Sequence, residues 1–172
     1  MLATALRGDG DRAFELFQML NPLTHASTPD GVAAYKVEPY VVAADVYTAA
    51  GHLGRGGWTW YTGSASWMYR VALEAILGFT RVGGSLIIDP RVPADWPEFT
   101  IEYRHGESVY VITVHEPGSV RAHDAAVTLD GCELGGPAIP LRDDGARHEV
   151  SVRPGLRSAA AETPGVERGV RG

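Results

Sequence analysis

The spacing of apolar residues changes at Gly78, and this change constrains the fold more than any other feature of the sequence. From Ala65 to Ile76, apolar side chains recur every three or four residues, which is the period of a helix with one buried face. Gly78 is a typical residue for ending such a helix. After it, alternating residues and frequent proline, glycine and β-branched residues indicate strands. The sequence therefore predicts an α+β chain with its helices first.

Residues 1–50 are predicted to contain further helices. Residues 1–6 are apolar and helix-prone, and Asp9 or Asp11 can cap a second segment that Asn21 and Pro22 end. The following residues, 21–34, are interpreted as a long connecting loop. A third helix is predicted over residues 39–50, with an apolar stripe formed by Val42, Ala43, Val46 and Tyr47.

Strand patterns fill the rest of the chain as far as residue 153, and they predict an antiparallel β-sandwich. The predicted strands cover residues 85–89, 99–105, 109–114, 126–129 and 147–152. The expected division is a helical part in residues 1–82, a sandwich in 83–153 and a disordered tail in 154–172, which lacks a periodic apolar pattern.

Composition excludes several functional classes. The 172 residues carry a formal net charge of -6, without a face-long cluster of Lys and Arg, which argues against a nucleic-acid surface. The single cysteine, Cys132, cannot form an internal disulfide. No run approaches the roughly 20 apolar residues of a membrane span, so a cytoplasmic location is expected. Four histidines lack ligand-like spacing and are interpreted as surface or structural residues: His105, His115, His123 and His148.

The start of the helix after Tyr61 is a candidate anion site. A helix N-terminus presents unpaired N–H groups and a partial positive charge, and Gly63 leaves that backbone uncovered. With the hydroxyls of Thr62 and Ser64, these groups can cradle a phosphate. The alternative is an ordinary helix start capped by Thr62 or Ser64.

Aromatic and polar side chains near this helix are candidate sugar contacts. Trp58 and Trp60 lie on a glycine-rich loop and can stack on sugar rings, or they can simply anchor the loop in the core. Glu38 and Tyr40, at the start of the predicted third helix, can bind hydroxyl groups or complement the helix dipole. His25 is either a surface residue or a ligand contact.

Three sequence segments carry a resemblance to a known family. They are YKVEPYVVAADVY from residue 35, GRGGWTWYTGSASWMYRVALEAILG from residue 54, and IIDPRVPADWPEFTIEYRHG from residue 87. Together they resemble the C-terminal part of glycoside hydrolase family 94, in particular its cyclic β-1,2-glucan synthase branch. The likeness extends over residues 2–152, and such long ordered runs are more specific than a short motif.

The resemblance implies a fold and an activity. The helices would be the last ones of an (α/α)6 barrel, followed by a jelly-roll-like sheet. The reaction would be inverting phosphorolysis of β-linked glucans, with inorganic phosphate as co-substrate and no cofactor or metal. Thr62, Gly63 and Ser64 would bind the phosphate. The residues near the sugar would be His25, Glu38, Tyr40, Trp58 and Trp60.

The resemblance also implies that this chain acts together with other segments. The family's general-acid aspartate, and its phosphate-binding arginine and histidine, are expected to precede Met1, so no catalytic residue is assigned here. A complete synthase of this branch would be anchored in a membrane through segments absent from this chain. Unpaired helix faces would favour association with the remainder of the barrel on another chain. The alternative is a non-catalytic carbohydrate-binding or assembly module.

Overall fold

The computed structural model describes residues 1–60 and 62–155. Most of the tail predicted as disordered, residues 156–172, lies outside the described residues. The helical elements are α1 (Leu2–Leu6), α2 (Gly10–Leu20), α3 (Pro22–His25), α4 (Pro29–Tyr35) and α5 (Thr62–Arg70), and α5 continues as a π-helix over Val71–Ile76. The α+β class is confirmed.

The connecting loop predicted for residues 21–34 is wrong, because two short helices occupy it. Asn21 accepts a hydrogen bond from the backbone N–H of Leu23, and Thr28 accepts one from that of Gly31. Each cap is followed by a proline in the first helical turn, where its missing N–H costs nothing. The same local chemistry starts α2, whose cap is Asp9 as one of the two alternatives predicted.

The helix predicted over residues 39–50 is also wrong. This segment instead lies against the glycine-rich residues 54–58. The N–H of Ala44 donates to the carbonyl of Trp58 over 2.9 Å, and that of Tyr47 to the carbonyl of Arg55 over 2.8 Å. Val46 and Gly56 form an isolated antiparallel bridge.

Two local properties explain this extended pairing. The β-branched valines 41, 42 and 46 have low helix propensity and suit an extended backbone. Glycines on the facing segment allow the close approach, since a β-carbon on Gly57 would lie 2.2 Å from a carboxylate oxygen of Asp45.

The apolar stripe predicted from Ala65 to Ile76 is confirmed in its second half, Val71–Ile76, which is a π-helix, whereas Ala65 is exposed. Val71, Ala75 and Ile76 of the π-helix are buried. They pack in one cluster with Ala5 of α1 and Ala13 of α2. The buried face of the π-helix therefore packs against α1 and α2.

Eight strands follow: β1 (Phe79–Val82), β2 (Ser85–Ile88), β3 (Glu98–His105), β4 (Ser108–His115), β5 (Ala126–Leu129), β6 (Cys132–Glu133), β7 (Ile139–Pro140) and β8 (Arg147–Arg153). The five predicted strands are confirmed as β2, β3, β4, β5 and β8, with shifts of one residue at some ends. Three short strands were not predicted: β1, β6 and β7.

The strands form two sheets that share one core. β1, β2 and β7 make an antiparallel sheet, and the second sheet has the order β3-β4-β8-β5-β6. Leu86 and Ile139 of the first sheet pack with Tyr110, Ile112 and Val152 of the second. The prediction of wholly antiparallel sheets is wrong, because β4 and β8 pair in parallel from Val109–Arg147 to Val114–Val152. The long connection between them allows this pairing, which a hairpin could not. The barrel and the jelly roll stay predictions.

Residues 89–94 join the helical part to the sheets, and we call them the junction loop. The N–H of Arg91 donates to the carbonyl of Ile76 over 2.7 Å, and that of Asp89 donates to the carbonyl of Gly78 over 2.9 Å. The Asp89 carboxylate also binds the Arg91 guanidinium at 2.8 Å and accepts from the N–H of Ala122 at 3.0 Å. Burial alone would raise the pKa of Asp89, but these hydrogen bonds and the charge of Arg91 lower it.

Exposed apolar surface is concentrated in the helical part. Among the described residues, 14 large hydrophobic side chains are exposed, and all but Val82 lie within residues 1–70. Within the described part of the chain, no helix has the length and apolar character to cross a membrane. The cytoplasmic location stays a prediction.

Gly78 gives a test of the junction loop. Its φ is +71°, and a β-carbon there would lie 2.1 Å from the carbonyl carbon of Asp89. We expect Gly78→Ala to reduce the free energy of unfolding by at least about 2 kcal/mol more than Gly83→Ala does. Gly83 is the matched control, because it has φ +58° but open space around it. Urea denaturation of both variants measures the difference, and equal losses would contradict the clash.

Candidate functional site

Three of the predicted sugar contacts lie together in the structure: Trp60, on the loop before α5, contacts Glu38 and Tyr40. The indole Nε1 of Trp60 donates a hydrogen bond of 3.4 Å to the carboxylate of Glu38. The ring of Tyr40 lies edge-on to that of Trp60, with 5.9 Å between ring centroids. Both aromatic side chains are about two-thirds exposed, at 68% and 64%. Aromatic faces that are open to solvent beside a carboxylate can stack on a sugar ring and accept its hydroxyl hydrogens.

Trp60 adopts a backbone conformation that is unusual for a bulky residue. Its φ is +67°, in the left-handed region that glycine or asparagine normally occupies. Such strain persists only where the surroundings hold it, and here Glu38 and Tyr40 do so. These contacts therefore join the loop at Trp60 to the segment that carries Glu38 and Tyr40.

Trp58 lies on the same loop and is also exposed, at 72%. Its backbone carbonyl accepts from the N–H of Ala44, so the pairing that replaces the predicted third helix holds the residue in place. This loop and the segment paired with it thus present Trp58, Trp60 and Tyr40 to solvent from a hydrogen-bonded scaffold.

His25 has internal contacts at the end of α3. Its ring stacks on that of Tyr35, with centroids 4.6 Å apart, and its Nε2 lies 2.8 Å from the carbonyl oxygen of Met19. Tyr35 is buried, and burial raises the pKa of its phenol, although a hydrogen bond to the backbone of Ala43 opposes that shift. None of these described contacts joins His25 to Glu38, Tyr40 or Trp60.

The predicted phosphate cradle lies at the start of α5. The helix begins at Thr62, and the side chains of Tyr61 and Thr62 fall outside the described part of the structure. Gly63 is exposed, and a β-carbon on it would meet nothing within 4 Å. Ser64 is half-buried. An anion could therefore approach the first N–H groups of α5 from solvent, at the end where the helix dipole is positive.

The outer face of α5 carries aromatic residues that the apolar stripe did not identify. Trp67 and Tyr69 are exposed at 57% and 68%. The guanidinium of Arg70 lies 5.4 Å from the centre of the Trp67 ring, and it binds Glu74 with two hydrogen bonds of 3.0 and 2.9 Å. These hydrogen bonds raise the pKa of Arg70 and lower that of Glu74. Trp67 does not belong to the predicted apolar stripe, and this position could have identified it as an exposed aromatic residue.

A titratable cluster lies in the second sheet, and sequence spacing did not reveal it. The Nδ1 of His148 is 2.8 Å from Asp130, and its Nε2 is 3.1 Å from Asp144. The Asp144 carboxylate also accepts from the hydroxyl of Ser108. The hydrogen bond to Asp130 is the main cause that raises the pKa of His148, against the opposing effect of burial. The same bond lowers the pKa of Asp130, and a hydrogen bond from the N–H of Ala146 is the main cause that lowers the pKa of Asp144.

The chain matches a family model described as the Glycosyl hydrolase 94 superfamily, catalytic domain, over residues 1–78. It is 46% identical over 114 residues to the cyclic beta-(1,2)-glucan synthase NdvB of Rhizobium meliloti (strain 1021), covering 66% of this chain and 4% of that protein. It is 28% identical over 153 residues to the solabiose phosphorylase of Paenibacillus borealis, covering 88% and 20% of the two chains. It is 31% identical over 147 residues to the N,N'-diacetylchitobiose phosphorylase of Vibrio proteolyticus, covering 84% and 18%.

Residues 1–78 therefore belong to glycoside hydrolase family 94, and the resemblance inferred from the sequence is confirmed. Two of the relatives named above are glycoside phosphorylases. The likeness to the synthase NdvB is to the C-terminal region of that protein. The chain spans no more than 20% of the length of these relatives. The family match ends at Gly78, the residue at which helix gives way to strand.

The cluster around His148 predicts a pH-dependent stability. Because its pKa in the folded state is raised, the contribution of His148 is complete below its unfolded pKa of about 6.5 and is lost as pH rises through the folded value. The two aspartates act in the opposite direction, since their lowered pKa values remove stability as pH falls below about 4. We expect His148→Gln to cost about 1 kcal/mol near pH 5.5 and less near pH 9.

Urea denaturation of the native and variant chains at both pH values measures this difference. His115→Gln is the control, because His115 contacts the more exposed Glu98 at the edge of the same sheet. A gap between the native chain and His148→Gln that stays constant with pH would contradict a charged His148.

Proposed function

We propose that this chain is the C-terminal part of an inverting glycoside phosphorylase-type enzyme that acts on β-linked glucans with phosphate as the nucleophile. The observation that carries the proposal is the arrangement before α5. Gly63 is exposed near the start of α5, Trp58 and Trp60 are exposed on the loop that precedes the helix, and Tyr40 packs beside Trp60. The family match over residues 1–78 and the phosphorylase relatives support the same class.

Phosphate recognition is assigned to Thr62, Gly63 and Ser64. The exposed backbone at Gly63 supplies N–H donors, and the hydroxyls of Thr62 and Ser64 can add two more. A dianion at this point is stabilised by the helix dipole and by charge-assisted hydrogen bonds. No cofactor is required, since phosphate itself replaces the activated water of an inverting hydrolase.

Sugar recognition is assigned to Glu38, Tyr40, Trp58 and Trp60. The carboxylate of Glu38 already accepts one N–H, from Trp60, and has further lone pairs for sugar hydroxyls. The aromatic rings offer apolar faces to a pyranose. We expect His25 to contribute less to sugar binding than these residues, because its ring is already stacked on Tyr35.

The proton donor to the leaving glycosidic oxygen is assigned to a different segment. The aspartates at 9, 11, 30 and 45 have no matching motif, and Asp9 is used as the cap of α2. The exposed hydrophobic residues of the helical part are consistent with packing against the rest of a catalytic domain, in the same protein or on another chain.

The first test uses the purified chain alone. We expect no phosphorolysis of β-glucans, because general acid catalysis typically contributes about 10²- to 10⁴-fold and its donor is assigned elsewhere. The measurement is release of glucose 1-phosphate from β-1,2-glucan in the presence of phosphate. Release by the chain alone would contradict the assignment of the acid.

The second test concerns the cradle, in a complete catalytic domain that contains these residues. Thr62→Val should lower phosphate-dependent turnover roughly 10- to 150-fold, since it removes one charge-assisted hydrogen bond of about 1.5–3 kcal/mol at nearly constant volume. Gly63→Val should lower it further by covering the backbone. The measurement is the phosphate dependence of the rate at saturating glucan.

Gly63→Ala separates anion binding from folding. A β-carbon there meets nothing within 4 Å, and alanine has a higher helix propensity than glycine, so the variant should be up to about 1 kcal/mol more stable. Loss of phosphate dependence in a more stable protein would support the cradle. Thr62→Val that lowers the melting temperature but leaves phosphate dependence unchanged would show that Thr62 only caps the helix.

A non-catalytic carbohydrate-binding or assembly module is the second candidate. The exposure of Trp58 and Trp60 favours it, because stacking on a glucan requires no proton donor. Two results together would favour this alternative. The chain alone would bind glucan, and Trp60→Ala would weaken that binding. Substitution of Thr62 or Gly63 would leave the phosphate-dependent turnover of the complete domain unchanged.

A further inference from the structure

A basic hollow lies between the end of α4 and the turn at residues 51–55. Neither Trp58 nor Trp60 lines it. Its volume is about 230 Å³. Lys36, His52 and Arg55 contribute the polar side chains of its lining, and Ala33, Ala34 and Gly51 contribute much of the remainder. No carboxylate lines it, although the chain has 21 acidic residues and a formal net charge of -6. The hollow is therefore positively charged, although the chain as a whole is negatively charged.

Lys36 and Arg55 of this hollow are not neutralised by any acidic residue in the described part of the chain. Lys36 and Arg55 are both exposed, and neither side chain forms an ion pair or a hydrogen bond with any residue that the structure describes. Elsewhere in the described structure, several arginines are paired, as Arg70 is with Glu74 and Arg91 with Asp89. Two adjacent unpaired cations repel each other unless an anion lies between them.

The turn that carries Arg55 is held by the backbone. The N–H of Arg55 donates to the carbonyl of His52 over 3.0 Å, and the carbonyl of Arg55 accepts from Tyr47 over 2.8 Å. The N–H of Gly54 donates to the carbonyl of Tyr47 over 2.9 Å. The position of the arginine beside Lys36 is thus fixed by the fold, and an anion would not have to order the turn.

Lys36 is an unusual residue for its position. It is the single lysine in a chain with 14 arginines. It ends α4 with φ +55°, a left-handed conformation in which glycine or asparagine is normally preferred. A cation near a helix C-terminus complements the dipole, but an arginine would do this equally well, and the dipole does not account for His52 and Arg55 from a different segment.

We propose that Lys36, His52 and Arg55 form a binding site for a small phosphate-type anion, separate from the start of α5. A flexible ammonium and a planar guanidinium facing one hollow suit a tetrahedral dianion, because the guanidinium can bind two oxygens and the ammonium a third. The ligand class is inorganic phosphate or the phosphate group of a sugar phosphate. The site is independent of the assignment of Thr62 and Gly63.

The single lysine gives a selective experiment on the full chain. An amine-reactive acylating reagent can form an amide only at Lys36 and at the α-amino group of Met1, and mass spectrometry reports both rates. A bound anion in contact with the Lys36 amine shields it from the reagent. We expect inorganic phosphate to slow acylation of Lys36 several-fold in a saturable way, with Met1 unaffected. A parallel titration with glucose 1-phosphate distinguishes the two sources of the phosphate group by their half-saturating concentrations.

Variants separate this site from the helix cradle and from general charge effects. Arg55→Gln should raise the half-saturating phosphate concentration roughly tenfold. Arg104→Gln is the matched control, because it removes the same charge from an exposed position on β3 and should leave protection unchanged. Gly63→Val should also leave it unchanged.

Three results would overturn the proposal. They are acylation of Lys36 that neither anion slows, protection that Arg55→Gln and Arg104→Gln weaken equally, and protection that Gly63→Val abolishes. The last result would place the anion at the start of α5. If Thr62→Val and Gly63→Val leave phosphate-dependent turnover unchanged while phosphate still protects Lys36, only the proposed function is contradicted.

Discussion

The hydrogen bonds between the junction loop and the end of the π-helix are the interaction on which the rest of the structure depends. The helical part leaves much apolar surface exposed, whereas the two sheets have a closed core of their own. The carbonyls of Ile76 and Gly78 accept from the N–H groups of Arg91 and Asp89, so the last helical turn continues directly into the sheet scaffold. Asp89 is itself held by Arg91 and by the N–H of Ala122. The long helix is consequently anchored at its C-terminal end.

This anchoring leaves the N-terminal end of the same helix free for function. α5 and the π-helix together run from Thr62 to Ile76, and their burial increases toward Ile76. The open end at Gly63 is preceded by Trp60, whose strained backbone is held by Glu38 and Tyr40. A rigid element with one anchored end and one solvent-facing end is suited to positioning an anion against a ligand on the neighbouring loop. A π-helix within such an element is also a feature that recurs at functional sites.

Sequence patterns predicted those parts of the fold in which one local signal dominates. The second half of the predicted stripe, over Val71–Ile76, and the alternation in β3, β4 and β8 depend on burial of one face, and the structure confirms them. The helix predicted over residues 39–50 is wrong because this valine-rich segment pairs in extended form with residues 54–58, which are distant from it in the helical pattern. The parallel pair β4–β8 and the contact of His148 with Asp130 depend on chain topology, which residue spacing does not encode.

The candidate site shows the same division between local and distant causes. The resemblance placed Glu38, Tyr40 and Trp60 in one functional group, and the described contacts join them, but through an extended loop and not through the predicted helix start. The arrangement therefore follows from glycines 56 and 57, which let the two segments approach closely. Since a β-carbon at either glycine would overlap Val37 or Asp45, the loop and the residues that it presents are determined by backbone packing.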